Sequence, residues 1–226
     1  MCGRYTLTRL ADLNLEFPWI KAPAAHHPRY NIAPSQEILA ARNLPEPQFE
    51  LLHWGLIPSW AKDKSIGNRI INARAETLAV KPAFKNALKK RRCLIPGDGF
   101  YEWRKEGDGG KTPLYIQMKN RRLFAFAGLW ETWTSDEGER IDSCTIITVP
   151  PNELLKTIHD RMPAILLEED QRRWLEPGEK MPEEVEKLLK PYPAAEMQAY
   201  PVSRHVNSPA SDSADCIEPV ESERLF

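Results

Sequence analysis

Phe124-Ala125-Phe126-Ala127-Gly128-Leu129-Trp130 is a short run rich in β-formers and bounded by turn residues, the pattern of a strand. Five more runs of the same kind surround it: Glu37–Arg42, Phe49–Trp54, Phe100–Arg104, Leu114–Met118 and Ser143–Val149. Glu106-Gly107-Asp108-Gly109-Gly110, between two of them, reads as a hairpin turn. Helical signals are fewer. Thr8 is placed to cap a short helix through Leu15, Pro82 to open one over 83–90, and Asn152 to cap 153–157. Glu168–Leu175 reads as another helix, and Pro182 with Glu183 and Glu184 opens one running to about Lys190. The small polar stretch 208–215 reads as an exposed loop. The expectation is an α+β fold, an antiparallel-rich mixed sheet or barrel-like core with short helices around it.

The 226 residues suffice for one generous domain with its own core. Apolar residues make up 42% and charged residues 28%, as in ordinary globular proteins. With 31 Lys plus Arg against 32 Asp plus Glu, no global field demands a polyanionic partner, so any anion site must be local. Cys2, Cys93, Cys144 and Cys216 form no C-x-x-C pair, which argues against zinc-knuckle and thioredoxin-type sites. The beginning of the chain lacks a signal-peptide pattern, and no run approaches the length of a membrane helix. A reducing, cytoplasmic setting with free thiols and no membrane contact is expected.

Several stretches carry more polar chemistry than packing needs. Loss of Met1 would leave Cys2 with a free α-amine beside its thiol, although position 2 by itself reads as the start of a first strand. In Ile70-Ile71-Asn72-Ala73-Arg74-Ala75-Glu76-Thr77, an extended backbone places Asn72, Arg74 and Glu76 on one face, able to orient an oxygen-rich ligand or to face water. In Cys93–Trp103, Pro96-Gly97-Asp98-Gly99 forces a turn, and Glu102 follows between Tyr101 and Trp103. A carboxyl group pressed among aromatic rings has its charged form disfavoured, which suits an acid/base near neutral pH. His159, in Ile158-His159-Asp160-Arg161-Met162-Pro163, has the richest polar context of the five histidines. Trp54 and Trp60 flank a Gly/Pro-rich segment and could stack on bases or pack in the core. Basic clusters at 89–92 and 120–122 are candidates for phosphate contact or for solvated faces.

Taken together, Cys2-Gly3-Arg4-Tyr5, Tyr30-Asn31-Ile32-Ala33-Pro34, Trp54-Gly55-Leu56-Ile57-Pro58, Ile71–Thr77, Gly99–Trp103, His159–Pro163 and Pro201-Val202-Ser203 resemble the SOS response-associated peptidase family, in family order and over nearly the whole chain. That family shields abasic sites in single-stranded DNA by covalent attachment. The resemblance implies a single domain over 2–226 with Met1 removed, a mixed α/β fold around a barrel-like sheet, and a role in the DNA damage response. It implies no metal and no cofactor. It makes Cys2 the crosslinking residue, Asn72 and Glu102 the active-site amide and acid, and His159 the active-site histidine. Arg4, Asn31, Pro34, Trp60, Arg74, Thr148 and Arg161 match positions expected to hold the DNA backbone or wedge its stack. Gly97 and Pro150-Pro151 depart from the family pattern, at turns.

The implied chemistry is closure of a thiazolidine between the Cys2 amine, its thiol and the open-sugar aldehyde, a lyase-type reaction on abasic single-stranded DNA. The expected protein is a monomer, cytoplasmic and nucleoid-associated when bound. Two rivals remain: a thiol peptidase or amidohydrolase with Cys2 as nucleophile, His159 as base and Asn72 orienting, and a non-catalytic single-strand binding module stacking on Trp54 and Trp60.

Overall fold

The computed structural model describes residues 2–23, 26–107 and 109–220. Its strands are β1 Tyr5–Leu7, β2 Arg29–Ile32, β3 Glu37–Arg42, β4 Phe49–Trp54, β5 Asn72–Arg74, β6 Arg92–Gly97, β7 Gly99–Lys105, β8 Lys111–Met118, β9 Phe124–Thr134, β10 Arg140–Val149, β11 Met162–Pro163, β12 Ile165–Leu166 and β13 Met197–Pro201. The helices are short: α1 Leu13–Glu16, α2 Lys85–Lys90, α3 Glu168–Leu175 and α4 Pro182–Glu186. The fold is the expected α+β.

Strands β10, β4, β3, β6 and β9 pair in that order, and β9 pairs back onto β10, so five strands close into a barrel. The β4–β10 and β5–β10 contacts are parallel and the other pairings antiparallel. So small a barrel has little room, and β9 carries a glycine, Gly128, where β6 and β10 press against it. A Cβ on Gly128 would lie 2.7 Å from the Cys93 sulfur and 3.0 Å from the Thr145 carbonyl oxygen, so closure at this point needs glycine.

The second sheet runs β13-β8-β7-β1-β2. In it β1 lies between β7 and the edge strand β2, with Tyr5 paired to Phe100 of β7 and to Ile32 of β2. The fully buried Tyr5 ring meets Trp54 and Phe126 edge-on, each at 5.5 Å between centroids, and welds this sheet to the barrel. Past β1 the chain is clamped by buried Asp98, whose carboxylate accepts from the Thr6 hydroxyl (2.5 Å), the Thr8 N–H (2.6 Å) and hydroxyl (2.7 Å), and the Arg9 N–H (3.0 Å).

That clamp corrects one expectation. Thr8 does not cap a helix; its hydroxyl is spent on Asp98, and the helical turn begins at Leu10 without a side-chain cap. Asn152 does act as expected, its Oδ1 accepting the Leu155 N–H at 2.9 Å, over a shorter 3-10 turn, Leu155–Thr157. The helix from Pro182 stops at Glu186 rather than Lys190. In the β7–β8 hairpin, Glu106 N–H donates to Gly110 at 2.9 Å and Gly109 takes a positive φ; Asp108, part of the expected turn, lies outside the described residues. Trp54 is core, its indole N–H donating to the Ile71 carbonyl at 2.9 Å.

The stretch 208–215 is largely exposed, as expected, yet it is pinned. Asp212 accepts from the Arg29 side chain and from the Tyr30 (2.5 Å) and Asn31 (2.9 Å) backbone N–H groups of β2. These bonds satisfy an edge strand that would otherwise offer unpaired donors. Among the described residues no helix is long and apolar enough to cross a membrane.

Of the basic run 89–92, Arg92 is not a surface cation. It is fully buried and donates to five backbone carbonyls, those of Leu88, Lys89, Trp174, Glu176 and Gly178, joining the ends of α2 and α3 to β6. A guanidinium satisfies several carbonyls at once because its donors form a rigid planar fork. Arg92→Met keeps the volume but leaves those acceptors without their donor. It is expected to cost about 3 kcal/mol or more, read as a fall in the urea midpoint with an unchanged denaturant slope.

Candidate active site

Three elements converge on the first residues of the chain. β5 runs parallel to β10, with Asn72 beside Ile146 and Arg74 beside Thr148. This pairing buries Ala73, leaves Asn72 half-buried and turns Arg74 outward. From there Asn72 Nδ2 donates to the Cys2 carbonyl at 2.8 Å. The amide's other end, Oδ1, is buried and meets no hydrogen-bond donor among the described residues.

Cys2 is fully buried. Burial pushes its thiol well above the usual range and the neighbouring Glu102 carboxylate pushes it further, while the Arg4 backbone N–H at the sulfur pulls the other way. The thiol is therefore held neutral. Glu102 comes from β7, opposite Leu114 of β8, and is 2% exposed. Burial pushes its carboxyl up to about 7.

The physical source of that shift differs from the sequence expectation. Alternation along β7 sends Tyr101 and Trp103 to the outer face, where they pack with Val202, Val206 and Tyr200, while Phe100 and Glu102 face inward. Glu102 is desolvated by the interior it shares with Cys2, not by the rings beside it in sequence.

His159 follows the 3-10 turn that Asn152 caps and is half-buried. Burial pushes its imidazole below the ordinary value. Its Nδ1 lies 3.1 Å from the Arg161 backbone N–H and 2.8 Å from the Asp160 carboxylate. One ring nitrogen cannot accept from the first and donate to the second together, so the two contacts belong to different protonation states of the ring. The Asp160 charge also raises the Glu102 carboxyl.

Beside this centre lies a polar rim. Arg161 is 11% exposed and bonds the Thr148 carbonyl at 2.5 Å and both carboxylate oxygens of Glu76, at 2.6 and 3.0 Å. The expected shared strand face of Asn72, Arg74 and Glu76 is not formed as such, because the strand ends at Arg74 and Ala75–Thr77 is a 3-10 turn. Thr148 is fully buried under this rim. Trp60 is 59% exposed, on a segment fixed where Gly55 and Gly67 cross so closely that a Cβ on either would meet the other's carbonyl oxygen at 2.7 Å or less. Pro34 is half-buried and precedes Ser35, whose φ of 66° marks a tight turn.

The side chains of Arg4 and Asn31 bond to the chain itself. Asn31 is fully buried and donates to the carbonyls of Val206, Ser208 and Ser211, while Arg4 Nη1 donates to Asn31 Oδ1 (2.8 Å) and to Val206 O (2.6 Å). Both side chains are committed to holding the segment after β13.

On the His159 side, Trp103, Arg104, Lys105, Lys156, His159 and Asp160 line an open cleft of about 780 Å³. Sequence reasoning passed over these cations; their signal was adjacency, since Arg104 and Lys105 continue the strand that carries Glu102, and Lys156 precedes His159 by three. The clusters it singled out are engaged elsewhere, with Arg122 on Glu16 and Glu168 and Lys90 on Glu179.

Residues 1–209 match the profile of the SOS response associated peptidase (SRAP) family. The chain belongs to that family. It is 48% identical over 222 residues to Abasic site processing protein YoqW of Bacillus subtilis (strain 168), covering 96% of this chain and 99% of the relative. To Abasic site processing protein HMCES of Gallus gallus it is 35% identical over 194 residues, covering 75% of this chain and 57% of that protein. A crystal structure of a Bacteroides thetaiotaomicron protein superposes with a TM-score of 0.87 at 28% identity, covering 97% of this SRAP chain and 100% of the other.

Glu102 has a consequence for stability. Its folded value of about 7 lies above the ordinary 4.5, so between those limits the native state keeps a proton that the unfolded chain has lost. Its burial is therefore harmless below about pH 4.5 and increasingly destabilising as pH rises through 7. Glu102→Gln is expected to be more stable than the parent at pH 8, by on the order of 2–3 kcal/mol. The gap should close below pH 4.5 in thermal melts across that range.

Proposed function

We propose that this SRAP protein captures abasic sites in single-stranded DNA by covalent attachment through Cys2 and so shields the lesion, in the cytoplasm, as a monomer of one domain, once Met1 has been removed. Its similarity to proteins named for abasic site processing supports the substrate. The observation that carries the chemistry is the meeting of the Asn72-tethered Cys2 with a buried acid held near neutrality, Glu102.

Removal of Met1 turns the Cys2 nitrogen from an amide into an amine and takes away the atoms bonded to it. A chain-terminal amine ordinarily titrates at about 7.7–8.0, so a useful fraction is neutral at physiological pH. That nitrogen attacks the aldehyde carbon of the opened sugar, and the resulting carbinolamine loses one water to give an imine. The Cys2 sulfur then adds to the same carbon as its proton passes to Glu102, and the imine nitrogen takes up a proton. Amine, thiol and aldehyde thereby become a five-membered thiazolidine and one water, with no change of oxidation state.

The raised thiol supports this order of steps. A sulfur kept protonated does not compete for the aldehyde first, and it acts only when the imine carbon is beside it and a base is at hand. Glu102, near half-protonated at neutral pH, can give a proton to the leaving hydroxyl and take one from the thiol. Asn72 fixes the Cys2 backbone so that nitrogen and sulfur address one carbon. His159, neutral and lining the open cleft, would assist opening of the sugar ring. The same facts weigh against the thiol peptidase reading, because burial that raises the thiol and lowers the imidazole keeps both neutral instead of favouring a thiolate–imidazolium pair.

Arg74 and Arg161 would take the phosphates beside the lesion, with Trp60 and Pro34 stacking on or wedging the bases. Thr148 would act from beneath, by holding Arg161. Arg4 and Asn31 would act indirectly, through the segment that they pin. The burial of Trp54 takes one stacking surface from the simple binding-module reading.

Intact mass spectrometry of the Met-free protein with an abasic oligonucleotide is expected to give a species heavier by the oligonucleotide less one water. Cys2→Ala and a variant with an N-terminal extension should give none, and an undiminished adduct in either would refute the assignment. In the Cys2-bearing protein, Glu102→Gln is expected to slow adduct formation by roughly 10²–10⁴-fold and to flatten the pH–rate profile near 7, measured by quenched time courses from pH 5 to 9.

A further inference from the structure

The rim beside the active site contains a carboxylate where a DNA-binding face should be short of them. Glu76 faces Arg161 fork to fork, occupying Nη1 and Nη2 with its two oxygens at 2.6 and 3.0 Å. A bidentate carboxylate presents to a guanidinium the same pair of acceptors that a phosphate would. Glu76 is 47% exposed against 11% for Arg161, so the carboxylate stands on the solvent side of the pair. The Thr148 carbonyl holds the same guanidinium from the inner side at 2.5 Å. Exposed Arg74 adds its charge to the neighbourhood of Glu76.

Resting on the reading of this chain as a single-strand DNA crosslinker, we propose that Glu76 is an exchangeable stand-in for a backbone phosphate on Arg161, which the strand must displace and which thereby weakens the grip on all strands, damaged or not. The exchange is sterically simple. Glu76 lies in the 3-10 turn Ala75–Thr77 and can swing into water, while Thr148 keeps Arg161 in place. A phosphate arriving with Glu76 still in position would meet like charge, so the two acids are alternatives. The ordinary carboxylate value of Glu76 is lowered, chiefly by its hydrogen bond from Arg161, so the competitor is charged at neutral pH.

This makes Glu76 a specificity-determining residue. Reversible residence depends on phosphates, which every strand has, whereas capture depends on an aldehyde, which only the lesion has. A fixed discount on the phosphate contact shortens stays on intact DNA and leaves the covalent step untouched.

The test measures non-covalent binding in a Cys2→Ala background, by fluorescence anisotropy with an intact single-stranded oligonucleotide between about 50 and 200 mM salt. Glu76→Gln is expected to bind about 5- to 10-fold tighter at the lowest salt. The slope of log K against log salt should steepen by up to about 0.7, the size of one phosphate contact on a single strand, because no carboxylate is then released to take up a cation from solution. Adding Arg161→Gln should abolish both gains, which a diffuse effect of the altered net charge would survive. Glu76→Asp keeps the charge but shortens the fork, and should fall between parent and Glu76→Gln; thermal melts establish that each variant is folded. In Met-free protein with Cys2 intact, unlabelled intact strand should inhibit crosslinking of Glu76→Gln better by the same factor.

Binding by folded Glu76→Gln that is unchanged or weaker, with an unaltered salt slope, overturns the proposal. So does a gain that persists without Arg161. Failure of the parent reading looks different: the Met-free protein gains no mass from abasic strands, or the Cys2→Ala protein binds no single strand at all.

Discussion

The hydrogen bond from Asn72 to the Cys2 carbonyl joins a barrel-associated strand to the beginning of the chain, and the rest of the site is arranged around that tie. Chain ends ordinarily fray because few contacts hold them. Here the end is threaded into the molecule: β1 lies between β7 and β2, Tyr5 is wedged against Trp54 and Phe126, and Asp98 clamps the exit at Thr6, Thr8 and Arg9. The second residue is thereby as well positioned as a residue in mid-strand. The crosslinking proposed for Cys2 needs that, because its backbone nitrogen and its sulfur would have to reach one carbon together.

The same burial sets the electrostatics. Desolvation acts on every ionisable group in the interior by favouring its neutral form, so it raises the Cys2 thiol and the Glu102 carboxyl and lowers the His159 imidazole. The shifts differ in consequence. The thiol starts above physiological pH and is carried further from it, whereas the carboxyl starts low enough that its push brings it to about 7, where it can move protons either way. One environment thus yields a neutral sulfur and an acid that titrates near neutral pH.

Much of this was legible in the sequence wherever the signal was local. The β3 and β4 boundaries follow from short apolar runs between turn residues, and α3 from its own run. Other elements depend on distant partners. β1 and β2 are strands because each has the other to pair with, and β6 incorporates Pro96 and Gly97, which read locally as a turn, because β9 supplies partners along its whole length. The sequence singles out Cys2, Asn72, Glu102 and His159 as candidates, but it does not show what surrounds Glu102, since strand alternation separates that side chain from its neighbouring rings. Arg4 and Asn31 show the limit most clearly. Their partner Val206 lies 202 and 175 residues away, and no local pattern distinguishes an arginine that meets DNA from one that ties down the far end of the chain.

A formal net charge of −1 gives no reason to expect a nucleic-acid partner until the charges are placed. Arg42 with Glu50, Arg91 with Glu131, Lys64 with Glu139 and Arg122 with Glu16 cancel one another away from the site, so the total says little about any one face. Even at the rim beside Cys2, Arg161 is matched by Glu76. A protein that held DNA by charge alone would have reason to leave such arginines bare. If the holding is done by a covalent bond to the lesion, a strong reversible grip on intact strands becomes a hindrance, because undamaged backbone vastly outnumbers its target. Balanced charge, a carboxylate on the best-placed arginine and a nucleophile fixed in the interior then follow from one requirement: recognition has to rest on the aldehyde.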